Sequence, residues 1–192
     1  MEETKPVEDT WLTGRLLVAT PGMPDPRFER AVIYICSHSS GGAMGLIVNR
    51  LFGGLPFKEL LDQMGIQIKG DTTDHLVHLG GPIEAGRGFV LHTTDWVHDG
   101  TVTISDNIAL TATVDILRAI ADGQGPSKSL FALGYVGWSA GQLEQEMQAN
   151  GWLVLPADEA LLFDVSPARK WEDSLAKAGI NAAMLTGDMG HA

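Results

Sequence analysis

The stretch Gly134-Tyr-Val-Gly-Trp-Ser-Ala-Gly-Gln-Leu-Glu-Gln-Glu-Met-Gln-Ala-Asn-Gly-Trp-Leu-Val-Leu-Pro156 does most to limit what this chain can become. It reads as a strand end, a tight glycine-bearing turn, one helix and a strand leading out. Ser139 with Gln142 three residues on has the capping-box spacing, in which hydroxyl and amide side chain satisfy each other's backbone donors. Leu143 and Met147, at i and i+4, supply one apolar stripe. Asn150-Gly151 ends the helix, because both residue types tolerate the left-handed conformation of a C-cap. Such local patterns speak to fold; they contain no catalytic signature.

Upstream, Leu16–Thr20 is an apolar run of the buried-strand type that stops at Pro21-Gly-Met-Pro-Asp-Pro26. Ala31-Val-Ile-Tyr-Ile-Cys36 is β-branched, aromatic and apolar throughout, which predicts a strand covered on both faces. The turn cluster Ser37–Gly42 and the returning strand Ala43–Asn49 complete a hairpin. A helix starting at Pro56 carries Leu60, Leu61 and Met64 to Gly65. Short strands are expected at His75–Leu79, Gly88–His92, Thr101–Ile104, Ser129–Leu133 and Leu161–Phe163. Ser105-Asp106 caps the longest expected helix, 107–122, on the recurrence of Ile108, Ala112, Ile116, Ala119 and Ile120. A last helix begins at Ser166-Pro167 and runs through Trp171 and Leu175 to Gly179. Hairpins first and helices later predict an α+β fold on a mainly antiparallel sheet. Residues 1–10 have the composition of a disordered acidic tail, and 11–192 of one domain.

Charge narrows the partners. Against 13 Lys and Arg stand 24 Asp and Glu, a net charge of −11. Affinity for nucleic acid rests on cations that neutralise phosphates, so direct DNA or RNA binding is disfavoured. The single cysteine, Cys36, excludes an intrachain disulfide and suits a reducing compartment. The acidic N-terminus is not a signal peptide, and no run of 18 apolar residues exists to span a membrane, so the expected location is the cytoplasm.

Candidate chemistry is sparse. Cys36 and His38 have strand spacing for a same-face nucleophile and base, but Cys36 ends an apolar run, where a thiol is a small core residue. His75 and His78 are three apart, which on a strand sends the rings to opposite faces; with His92, Asp95 and His98 they form no established metal spacing. The pairs Gly41-Gly42, Gly53-Gly54 and Gly80-Gly81 are turn material and not a phosphate loop. Ser139 is also the centre of Gly137-Trp-Ser-Ala-Gly141, the nucleophile-elbow spelling, yet the only later histidine is His191. Neither a cofactor nor a metal is expected.

Longer matches add a family. Leu16-Leu-Val-Ala-Thr-Pro-Gly-Met-Pro-Asp-Pro-Arg-Phe-Glu-Arg-Ala-Val-Ile-Tyr-Ile-Cys36, Gly42-Ala-Met-Gly-Leu-Ile-Val-Asn49, Gly80-Gly-Pro82, Arg87-Gly-Phe-Val-Leu-His92, Ser105-Asp106, Gly134-Tyr135, Gly141-Gln-Leu-Glu144 and Gly190-His-Ala192 together resemble the YqgE/AlgH family. That resemblance implies a bacterial cytoplasmic protein whose branched sheet, partly closing on itself like a barrel, is surrounded by helices. It implies no activity and supplies no catalytic residues. Some members are labelled transcriptional regulators, a role that the charge balance here would make indirect. Ser37-His-Ser-Ser40 departs from the family's more acidic pattern beside the histidine.

The expected function is therefore a non-enzymatic binding or regulatory protein that takes a protein partner or a small anionic ligand. Its expected groove gathers Asn49, Arg50, Gly80, Gly81, Pro82, Arg87, His92, Tyr135, Trp138 and Gln142, polar and aromatic residues at strand ends and turns. Arg50 and Arg87 would hold a carboxylate or phosphate there. The alternative is an enzyme using Cys36 or Ser139.

Overall fold

The computed structural model describes residues 12–72 and 75–181. The expected tail at 1–10 and the closing Gly190-His-Ala192 lie outside the described residues. In chain order the elements are β1 (Arg15–Ala19), β2 (Val32–Ser39), β3 (Gly42–Ile47), α1 (Phe57–Gln63), β4 (Val77–Leu79), β5 (Ile83–Thr93), β6 (Thr101–Thr103), β7 (Ile108–Thr111), α2 (Val114–Ala121), β8 (Ser129–Ser139), α3 (Gln142–Gln148), β9 (Trp152–Pro156) and α4 (Pro167–Lys177).

The fold is α+β: an antiparallel sheet curls into a half-barrel with helices packed about it. Its strands run β6-β7-β5-β8-β3-β2-β1-β9, and β4 branches off, pairing with β8 in parallel. The branch lies at Gly134. Before it, β8 has β4 on one edge and β5 on the other, and after it Val136–Ser139 pairs with β3. Gly134 has φ 75°, and the strand's alternation slips by one there. Leu130 and Ala132 before it, and Tyr135 after it, contact one core cluster; Phe131, Leu133, Val136 and Trp138 belong to clusters of other residues. Gly80 and Gly81 cross β8 closely at this point. A Cβ on Gly81 would lie 2.1 Å from the Tyr135 carbonyl carbon, and one on Gly80 would lie 2.3 Å from the Gly134 oxygen.

Alternation in β1 and β2 divides the core as the sequence predicts for a strand buried on both faces. Leu16, Val18, Val32 and Tyr34 pack with Trp171 and Leu175 of α4, whereas Leu17, Ala19, Ile33 and Ile35 pack with Leu143 of α3 and Trp152. A third cluster joins Phe57 and Leu61 of α1, Ile116, Leu117 and Ile120 of α2, and Val90, Phe131 and Leu133 of the sheet.

Four local expectations are corrected. Ser139 does not cap α3: β8 runs through Gly137 to Ser139, and the N-cap is Gly141, left-handed at φ 77°. The Gln142 Oε1 accepts from the Ser139 amide at 3.0 Å, which is half of a capping box, but the hydroxyl donates to the same oxygen at 3.2 Å. The span 107–122 divides into β7 and the shorter α2, whose N-cap is Thr113 and not Ser105 or Asp106. Ladders to β5 and β6 on both edges of β7 outweigh the helical recurrence of Ile108 and Ala112. Leu161–Phe163 is a π-helical turn (Ala160–Asp164), nucleated by the Asp158 carboxylate accepting from the Leu161 amide at 2.7 Å. Met64, expected in the α1 stripe, is exposed.

Candidate functional site

The residues expected in a groove mostly have structural partners. Asn49 accepts from the Val32 amide and donates to the Arg30 carbonyl, holding the end of β3 against β2. The Arg50 guanidinium donates to the carbonyls of Arg27 and, at 3.0 Å, Glu29. Arg87 pairs with Glu84 at 3.4 Å and stacks over Phe89. The two guanidinium groups are thus engaged at different places and share no partner. His92 is fully buried, its Nε2 2.8 Å from the Thr111 hydroxyl. Trp138 is buried and donates to Glu146, Tyr135 packs edge-on against Phe89, and Gln142 holds Ser139. Gly80 and Gly81 meet Gly134 and Tyr135, with Pro82 following. None of the ten lines the four principal cavities.

Each nucleophile alternative has a structural place. Burial pushes the Cys36 thiol well above its ordinary pKa, so no thiolate is present near neutrality. The Ser139 hydroxyl is bonded to Gln142 and has no imidazole among its described partners. Among the described residues no group of three His, Cys, Asp or Glu could hold a metal ion, and no helix is long and apolar enough to cross a membrane.

A different place gathers titratable groups. Where β4 and the start of β8 meet the π-helical turn and α4, a cavity of ≈ 240 Å³ is lined by His75, His78, Ser129, Phe131, Leu162, Asp164 and Lys170, among others. Lys170 is the unusual member. It stands beside Trp171 and one turn before Ser174 and Leu175, so the buried stripe of α4 carries an amine, and it is only 2% exposed. Its Nζ donates to the Val48 carbonyl at 2.8 Å and to the Leu162 carbonyl at 2.7 Å. An ammonium has three N–H donors, and no carboxylate among the described residues lies within ion-pair distance of this one. Burial lowers the Lys170 pKa to about 7, an effect that the two carbonyls oppose by favouring the charged form.

His78 Nδ1 lies 3.1 Å from the Phe131 carbonyl and so carries the ring proton. Burial first, and then the charge of Lys170, lower its pKa to about 4. His75 Nε2 is 3.3 Å from the Ser129 hydroxyl. The Asp164 carboxylate is paired with Lys128 at 2.8 Å, which offsets its negative charge. Such an arrangement places a buried amine and hydrogen-bonding side chains in a partly enclosed space. Sequence reasoning missed it. The available signal was Lys170 and Ser174 falling within the apolar stripe of Trp171 and Leu175, where a charged residue needs a reason.

Comparison with known proteins is consistent along the whole length. A family model described as AlgH-like matches residues 16–183. A UPF0301 protein of Rhodospirillum rubrum is 48% identical over 182 residues, covering 95% of each chain. One from Methylocella silvestris is 53% identical, covering 95% of this chain and 92% of its own. The solution structure of the AlgH protein from Pseudomonas aeruginosa superposes with a TM-score of 0.76 at 40% identity, covering 100% of both chains. The crystal structure of a protein from Corynebacterium diphtheriae has the same fold, with a TM-score of 0.74 at 20% identity over 96% of this chain and 94% of its own.

Proposed function

This chain belongs to the AlgH-like family, and from that premise we propose that it is a non-enzymatic binding protein that holds a small anion, of the carboxylate or phosphate class, in the Lys170 cavity. One observation carries the reading: an amine buried to 2% exposure, bonded among the described residues to two backbone carbonyls, lines a cavity that Ser129 and His75 also line. A buried cation is costly without a counter-charge, and an anion seated in the cavity supplies one. The surrounding donors suit the oxygens of such a group. The Val48 and Leu162 carbonyls keep Nζ in place, so an arriving anion meets a positioned donor. One buried thiol and a net charge of −11 fit the bacterial cytoplasm as the place of action.

The test is a titration with sodium acetate and sodium sulfate against sodium chloride at matched ionic strength, following the His78 and Ser129 resonances by NMR. Saturable shifts that chloride does not produce, weakened tenfold or more in Lys170→Met and to a smaller extent in Ser129→Ala, support the reading; charge-assisted hydrogen bonds are of that order. Identical responses to all three salts, or equal affinity in a folded Lys170→Met protein, would overturn it.

A further inference from the structure

The Lys170 cavity has a neighbour of opposite character. A groove of ≈ 510 Å³ is lined by Leu51, Phe52, Leu55, Pro56 and Phe57 on one side and by Thr72, His75, Leu76 and Val77 on the other. Its wall is largely hydrocarbon. Leu51 is 50% exposed and Leu76 43% exposed, an unusual outlay of large apolar surface for residues that flank a groove. His75 and Leu76 line both spaces, so the polar cavity and the apolar groove share one wall. The same two residues immediately precede β4, whose His78 forms an isolated bridge with Leu51.

We propose that the ligand is amphiphilic: a carboxylate whose linear hydrocarbon tail passes over Leu76 into the groove while its head sits at Lys170. This rests on the anion-binding reading and specifies its ligand class. Charge complementarity places the head, since Lys170 is the buried cation and, among the described residues, the groove lining adds only the exposed Lys58. Apolar area places the tail, because Leu51, Leu76, Phe52 and Leu55 would lose water contact on covering. The ring of His75, which lines both spaces, stacks on Phe57 with centroids 5.2 Å apart. A short anion occupies the head position alone and leaves the groove wet.

The experiment is calorimetric titration of the full chain with acetate, octanoate and octanol, each below its aggregation limit, and with the Leu51→Gln and Lys170→Met variants. Burial of a methylene is worth roughly fourfold in affinity, so octanoate should bind at least about tenfold tighter than acetate even if only a few methylenes are covered. Leu51→Gln, at a half-exposed position, should erode the octanoate advantage and leave acetate unchanged. Octanoate no tighter than acetate overturns the amphiphile and leaves the anion site standing. Octanol matching octanoate, with neither affected by Lys170→Met, shows an apolar groove unconnected to the cation and overturns it as well. Absence of acetate and octanoate binding alike removes the anion-binding reading with it.

Discussion

His38 and Glu144, 106 residues apart in sequence, meet at 2.5 Å between Nε2 and Oε1, tying the end of β2 to the first turn of α3. The imidazole side is almost wholly buried while the carboxylate side is 38% exposed, so the contact stands at the edge of the core. It engages His38 with α3. Burial raises the Glu144 pKa, but its own backbone amide and the His38 hydrogen bond outweigh this and leave it lowered. A depressed carboxyl pKa contributes stability that is present above the unfolded value and lost as pH falls through the folded one. Glu144→Gln should therefore cost about 0.5–1 kcal/mol near neutrality, discounted for solvent screening, and the cost should shrink below about pH 4. Urea unfolding at pH 7 and pH 3.5 measures it, and an equal cost at both would refute the ionic account.

Gly81 sits where the backbone after β4 crosses β8 at Gly134 and Tyr135. Because a Cβ there would come within 2.2 Å of the Tyr135 carbonyl carbon and oxygen, and both are backbone atoms of a central strand, relief requires moving the branch itself. Gly81→Ala should destabilise the protein by about 3 kcal/mol or more. Gly53→Ala, at a glycine with open space around it, should change little. Thermal melts of the two proteins side by side are sufficient.

Ser139 distinguishes the observed turn from the capping box that its spacing suggests. A serine acting as N-cap loses about 1 kcal/mol on truncation to alanine. Here the hydroxyl only shares Gln142 Oε1 with its own amide, and Gly141 occupies the N-cap. Ser139→Ala should cost less than about 0.5 kcal/mol, whereas Gly141→Ala, at φ 77°, should cost about 1 kcal/mol or more.

Lys170 should leave a signature in the pH dependence of stability. Its pKa is about 7 in the folded protein against an ordinary 10.5, so between these values the unfolded chain binds more protons than the folded one. Stability then rises with pH across that window and flattens below about pH 7. The raised pKa of Cys36 acts in the opposite sense only above its ordinary value of 9.0, which leaves pH 7 to 9 for the lysine. Over that range the wild-type unfolding free energy should climb by up to about 1 kcal/mol per pH unit, with His78, about 4 when folded against an ordinary 6.5, adding a smaller part that fades above about pH 7. In Lys170→Met the slope should be lost between about pH 8 and 9, with the remainder near pH 7 coming from the buried histidines. For the same reason acetate, ionised throughout, should bind more tightly as pH falls from 9 to 6.

Burial and pairing together decide which thiol chemistry is open. Cys36 lies in the α4-facing core with its Sγ 3.9 Å from the Tyr34 carbonyl, and its thiol is pushed upward by burial. A thiol reagent at pH 7 should label it only at the rate of unfolding, and full labelling in urea confirms that the cysteine is otherwise reactive.

The sequence alone determined what depends on neighbours within a few residues or on period. Alternating β1 and β2, the hairpin into β3, the end of α3 at left-handed Asn150, and α4 opening on Pro167 follow from side-chain alternation, turn chemistry and backbone preference, which are local quantities. Residues 108–111 were misread because two sheet ladders overrode a helical recurrence, and no local pattern reports how many strands will flank a segment. The site was hidden for the same reason. Lys170, His78, His75 and Ser129 come from three separated parts of the chain, and the pairing of β4 with β8 together with the packing of α4 brings them around one cavity. Whether an amine is solvated or buried beside carbonyls depends on what tertiary packing removes from water, and that sets its charge, its partners and its use.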